Sequence, residues 1–129
     1  MDRSQKEELV ASLHRVFEEA AIVVVTHYSG LTVTDMGDLR DRMRAEGASF
    51  KVTKNRLTRR ALEGTKFQDL HDLFTGPTAI AYSENPVSAA KVAVNFAKDN
   101  DNLVVLGGAI GAERLDVDRV KALAALPSL

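Results

Sequence analysis

Apolar residues recur at the helical period near the start of the chain, so residues 4–20 are expected to form an amphipathic helix. Leu9, Leu13, Val16, Phe17 and Ala20 make its buried stripe, and Ser4 and Glu7 have the spacing of a capping box. The pattern then changes. Residues 21–26 hold the run Ile22 to Val25, β-branched throughout and without alternation, which reads as a central strand covered on both faces. His27-Tyr28-Ser29-Gly30 reads as a turn. A second helix follows, with Thr34 as N-cap, Asp35 and Asp38 near its positive end, Met36, Leu39 and Met43 inward, and Gly47 as the stop. Residues 49–53 alternate, Phe50 and Val52 on one side and Lys51 and Thr53 on the other, as in a half-buried strand.

Thr53 stands where it can cap a short helix over residues 54–63, which Gly64 ends. Leu57 and Ala61 are its inward pair, leaving Arg56, Arg59, Arg60 and Glu63 for water or a partner. Another short helix is expected over 67–74, broken by Gly76-Pro77, and a strand over 78–82. Asn85-Pro86 opens a helix with Val87, Ala90, Val94 and Ala97 as its stripe, broadened by Ala93 and Phe96. Residues 103–106 form a last buried strand, Gly107-Gly108 marks a bulge or bend, and Asp116 caps a helix running through Leu126. Four strands with helices after the first and third predict an α+β fold on the ferredoxin-like split βαβ plan. Its four-stranded antiparallel sheet carries an extra N-terminal helix, a two-helix insertion between the second and third strands, and a C-terminal helix. Helices after the first and third strands cover one face, so the doubly buried first strand requires a terminal helix on the other.

Length and composition agree with one domain over residues 1–129, with 45% apolar residues and neither linker nor repeat. No apolar run approaches the ~20 residues of a membrane span, no secretory signal is visible, and the chain has no cysteine, so disulfides and thiolate chemistry are excluded. Charge changes the picture more. Between residues 40 and 60, eight positive side chains (Arg40, Arg42, Arg44, Lys51, Lys54, Arg56, Arg59, Arg60) face only Asp41 and Glu46, a net of +6. The formal total is −1, so the remainder of the chain carries −7. Such segregation points to a polyanionic partner, and nucleic acid is the expected one. With 5% aromatic residues and no Trp, a stacking-dominated single-strand binder is disfavoured.

The expected contacts gather on the basic strand and helix. Lys54, Asn55 and Arg56 occupy the first helical turn, where free amides and the dipole attract phosphate, and Arg56, Arg59 and Arg60 add planar bidentate donors. Lys51 precedes them on the strand, and Asn55 is suited to a base edge or a 2′-hydroxyl. Duplex RNA hides its base edges in a deep groove, so backbone shape would be read first. A merely solvated face is the bland alternative, and the scarcity of acidic i, i+4 partners weighs against it. His27 and Ser29 are neighbours on a turn and have no orienting carboxylate, so no catalytic residue is expected. Gly107, Gly108 and Gly111 lack the phosphate-loop spacing, and His14 and His71 lack ligand spacing, so neither a cofactor nor a metal is expected.

Three blocks carry a resemblance. They are Tyr28-Ser29-Gly30-Leu31-Thr32, then Lys54-Asn55-Arg56-Leu57 with Arg59-Arg60-Ala61-Leu62, and lastly Phe74 to Ser83, FTGPTAIAYS. In order and separation they resemble the bacterial ribosomal protein at the base of the large-subunit stalk, the tenth of that subunit. The resemblance implies a non-enzymatic ribosomal component in the cytoplasm that binds 23S rRNA at the GTPase-associated region. It implies RNA contacts at Ser29, Gly30, Lys54, Asn55, Arg56, Arg59 and Arg60, and the eleventh large-subunit protein as a neighbour. Members also carry dimers of the acidic stalk protein on a C-terminal helix and can repress their own mRNA. The family continues past the equivalent of Leu129, whereas this chain ends at Leu126-Pro127-Ser128-Leu129. Residues 116–129 are therefore read as the start of the connection to that helix, and the chain as given is expected to anchor to RNA without holding the dimers. Two other readings stand beside this one: an interaction module whose basic helix meets an acidic protein, with residues 104–110 as a pairing edge, and a small enzyme using the Tyr28 loop.

Overall fold

In the structure, a computed structural model that describes residues 1–127, strand β1 (Ile22–Tyr28) is the middle of the sheet. It pairs with β3 (Thr78–Ser83) on one side and β4 (Leu103–Ile110) on the other, while β2 (Ala48–Val52) and β5 (Glu113–Leu115) extend the two edges. The order is β2-β3-β1-β4-β5 and every pairing is antiparallel, so the expected split βαβ sheet is present with a fifth strand added at the β4 edge. Five α-helices are described, α1 (Arg3–Glu19), α2 (Val33–Ala45), α3 (Asn55–Leu62), α4 (Ser88–Asp99) and α5 (Val117–Ala124), with a 3₁₀ helix at Gln68–Leu73. None of the helices among the described residues is long and apolar enough to cross a membrane. Ser128 and Leu129, the end of the expected connecting segment, lie outside the described residues.

The alternation of β1 sorts its apolar run into two cores. Ile22 and Val24 face Leu39 and Met43 of α2, Ala93 and Phe96 of α4, and Val120 of α5. Val23 and Val25 face the other way, against Leu13 and Phe17 of α1, Ala61 and Leu62 of α3, and Phe67, Leu70 and Phe74 around the 3₁₀ helix. The unbroken apolar run therefore reflects a strand buried on both sides, as expected. The N-terminal helix covers the second face together with the two-helix insertion, and the C-terminal helix joins α4 on the first.

Several local expectations are corrected. α1 starts one residue earlier than expected because Asp2, not Ser4, caps it, accepting from the Gln5 amide at 2.8 Å while the Gln5 side chain accepts from the Asp2 amide at 3.0 Å. Thr32 replaces Thr34 as the α2 cap in the same reciprocal way with Asp35. Each of these reciprocal boxes satisfies two amides and sets the cap two residues before the expected one. Pro86 lies in the turn before α4, whose first amides are met by the Asn85 side-chain oxygen, accepting from Val87 and Ser88. Val52 is exposed at the strand end rather than inward.

The largest correction concerns β4, which runs four residues beyond the expected end. Val25 stands opposite Gly107 but Thr26 opposite Val105, so Leu106 is the extra residue of a bulge. Gly108 then passes so close to β1 that a Cβ there would lie 2.5 Å from the Val23 carbonyl oxygen. The two glycines let the strand continue instead of stopping it. β5 pairs with Gly108 to Ile110 and so covers part of the edge expected to be free. From β5, Arg114 forks onto both Asp72 oxygens at 2.7 and 2.9 Å and donates to the Asp69 carbonyl, tying this edge to the 3₁₀ helix.

Candidate nucleic-acid interface

α3 buries more of itself than the sequence indicates. Leu57, Thr58, Ala61 and Leu62 are all buried, Ala61 and Leu62 within the second core, and the Thr58 hydroxyl is satisfied by the Lys54 carbonyl at 3.0 Å. That stripe turns Arg56, Arg59, Arg60 and Glu63 to the surface. Thr53 does not cap the helix. Its amide and hydroxyl both donate to the Thr78 carbonyl, at 3.1 and 3.0 Å, and Lys54 takes the N-cap position without a side-chain bond. From α1, a ring nitrogen of His14 lies 2.9 Å from the Ala61 carbonyl, so this histidine joins two helices.

The basic window divides between the two faces of the sheet. α2 lies on the first face, where Arg42 pairs with Asp38 at 3.1 Å and stacks over Phe96, and Arg44 lies 3.9 Å from Asp41. On the α3 side the balance differs. Lys51, which strand alternation turns to the side opposite Phe50, and Lys54, Arg56, Arg59 and Arg60 form no ion pair within 4.0 Å among the described residues. Glu63, the C-cap of this short helix, pairs with none of them. Of the window's cations without an ion pair among the described residues, five thus lie on α3 and the adjoining strand and one, Arg40, on α2.

The three sequence blocks meet at the loop before β3. Arg59 Nη2 donates to the Phe74 carbonyl at 2.8 Å, His27 Nε2 lies 2.6 Å from that of Thr75, and Asn55 Nδ2 donates to that of Gly76 at 2.9 Å. The Tyr28 amide donates to the Pro77 carbonyl at 3.0 Å, and Thr53 completes the series at Thr78. Five consecutive carbonyls are therefore held by donors from β1, the end of β2 and α3. Gly76 allows the loop to present them, since its φ of +73° lies in the left-handed region and its α-carbon faces the His27 ring.

Ser29 and Gly30 are exposed at the end of β1. The Ser29 amide donates to the Asn102 carbonyl, and Asn102 Nδ2 returns a bond to the Gly30 carbonyl at 3.2 Å. β1 and β2 are both antiparallel to β3, so their C-terminal ends lie at one end of the sheet, beside the start of α3. All eight expected residues, Ser29, Gly30, Lys51, Lys54, Asn55, Arg56, Arg59 and Arg60, thus belong to β1, β2, α3 or their ends. Arg59 and Asn55 are partly committed to the loop, which the sequence did not indicate. His27 is engaged with the Thr75 carbonyl, and among the described residues no hydrogen bond joins it to Ser29. No group of three or more His, Cys, Asp or Glu that could hold a metal occurs among them either.

Comparison with known proteins agrees with these blocks. The family model of ribosomal protein L10 matches residues 1–98, which reach into α4. The chain is 64% identical over 129 residues to large ribosomal subunit protein uL10 of Paramagnetospirillum magneticum, covering all of this chain and 75% of that protein. It is 62% identical to the uL10 of Parvibaculum lavamentivorans and 57% identical to that of Brucella canis, with the same coverage.

Proposed function

The chain belongs to the ribosomal protein L10 family, a structural and non-enzymatic component of the large ribosomal subunit, and from that premise we propose that residues 1–129 form its rRNA-binding domain. The domain docks the exposed face of α3 onto the GTPase-associated region of 23S rRNA, with Lys51, Lys54, Arg56, Arg59 and Arg60 meeting phosphates and Ser29 and Gly30 approaching the backbone at the neighbouring strand end. The observation that carries this reading is the group of five cations on one side of the sheet that, among the described residues, have no acidic partner, in a chain of net charge −1.

On this reading the eleventh large-subunit protein is its neighbour, and the acidic stalk-protein dimers bind through a C-terminal helix not among residues 1–129. Repression of its own mRNA uses the same basic face, and the protein works in the cytoplasm as part of the ribosome.

The test is titration of a 23S rRNA fragment spanning that region across a range of salt. Five neutralised phosphates predict a fall of log affinity with log salt at a slope of roughly −3.5 to −4.5. A slope near zero would remove the phosphate-docking reading. Capture of an acidic protein that persists after ribonuclease treatment would support the interaction-module alternative instead.

A further inference from the structure

We infer that the carbonyl run from Phe74 to Thr78 sets the orientation of α3 for RNA, with Asn55 and His27 acting as positioning residues and not as RNA contacts. The inference rests on the proposed docking of α3 and adds to it a division of labour within the matched blocks.

Asn55 decides the matter first. Its Nδ2 donates to the Gly76 carbonyl, and its Oδ1 is buried with no hydrogen-bond partner among the described residues. Reversing the amide would set two acceptor oxygens against each other, so the orientation is fixed by its one bond. An oxygen with no accessible surface cannot accept from a 2′-hydroxyl or a base amine. The residue that the sequence marks as a base reader therefore points into the protein.

The neighbouring bonds show what the amide is for. Gly76 is held by the first residue of α3, Phe74 by Arg59 one turn later, and Thr75 by His27 from β1. Two points along α3 and one on the central strand thus converge on three consecutive carbonyls, which sets both the tilt and the rotation of the helix. A helix of eight residues needs such a frame, because segments this short do not hold themselves in water. Each residue of helix rotation turns the side chains by about 100°, so a loosened helix must be ordered on binding before Lys54, Arg56 and Arg60 meet phosphates together, which weakens affinity without changing the contacts of the complex.

The experiment compares Asn55→Ala, His27→Ala, His27→Gln and the Asn55→Ala/His27→Ala pair with wild type. Binding to the 23S fragment is titrated over salt below each variant's melting transition, and amide exchange of α3 is followed in the free proteins. Positioning through one loop predicts that each alanine variant binds about three- to tenfold more weakly with an unchanged salt slope. It also predicts that the pair is little worse than either single variant, and that His27→Gln, whose amide retains a donor for Thr75, binds like wild type. In the free Asn55→Ala protein, exchange at residues 56–60 should accelerate. Losses that multiply in the pair, or unaltered α3 exchange, would make Asn55 a direct contact and overturn the inference. Wild-type affinity in both alanine variants would overturn it equally. If wild type itself binds without salt dependence, the docking reading fails, and the exchange data still decide whether the loop orients the helix.

Discussion

Arg56 and Arg59 look equivalent in the sequence, three places apart on one basic helix, but their surroundings separate them. Among the described residues neither makes an ion pair, but Arg56 is exposed with no hydrogen bond from its side chain, whereas Arg59 reaches the Phe74 carbonyl at 2.8 Å. Arg56→Ala is therefore expected to weaken RNA binding and reduce the salt slope by roughly 0.7 to 0.9 while leaving the melting temperature unaltered. Arg59→Ala should show the same change in slope together with about 1 kcal/mol less stability, because it leaves a loop carbonyl without its donor. Paired titrations and thermal melts distinguish the two, and equal melting curves would show that the Arg59 bond contributes nothing. The sequence made part of this legible. Leu57 and Ala61 declare the buried side of α3 by their spacing, and the charged residues follow as the remainder. Asn55, Arg59 and His27 find their partners in a loop reached only through the fold, and no local pattern announces a contact over 15 residues or more.

Strands and helices with strong periodicity were readable, and those defined by a neighbour were not. β1 shows its central position by four apolar β-branched residues in a row, and the order of helices and strands follows from the punctuation between them. β5 has only three residues and no pattern of its own; it exists because Gly108 to Ile110 offers it an edge and Arg114 ties it down. Gly108 is legible as a glycine but not as a near-contact with β1. Gly108→Ala must push its Cβ away from the Val23 carbonyl oxygen, at a cost of about 2 kcal/mol or more in denaturant unfolding. A wild-type midpoint would show that the strands can part without penalty. The Asp72–Arg114 fork makes a separate prediction about acid. Hydrogen bonding and charge from Arg114 hold the Asp72 carboxyl below its ordinary value of 3.8, so the unfolded chain binds that proton more readily. The stabilisation is complete above that ordinary value and is lost as pH falls through the lowered one. Asp72→Asn should melt below wild type near neutrality, with the gap closing progressively in acid. A gap independent of pH would assign the loss to packing instead.

Across the whole molecule, the sheet separates two cores with different tasks. The first, under α2, α4 and α5, holds Leu39 and Phe96; the second seats α3 against Phe17, Phe67 and the outward side of β1. His14 adds a bond from α1 to the α3 backbone, so the helix proposed to meet RNA is supported by the N-terminal helix rather than by the crossover helices. The charge pattern follows much the same division, since two of the three arginines of α2, Arg42 and Arg44, pair within their own helix, while among the described residues those of α3 form no ion pair. This arrangement predicts different consequences for two buried truncations of comparable cost. Leu39→Ala and Phe17→Ala should each cost about 3 to 4 kcal/mol of global stability. Only Phe17→Ala removes the wall beneath α3, so only it should speed amide exchange at residues 57–62 through local opening, beyond what the lost global stability explains. RNA affinity measured well below the melting transition should fall in Phe17→Ala and hold in Leu39→Ala. Equal acceleration and equal loss of affinity in both variants would mean that the domain opens as one unit and that α3 has no foundation of its own.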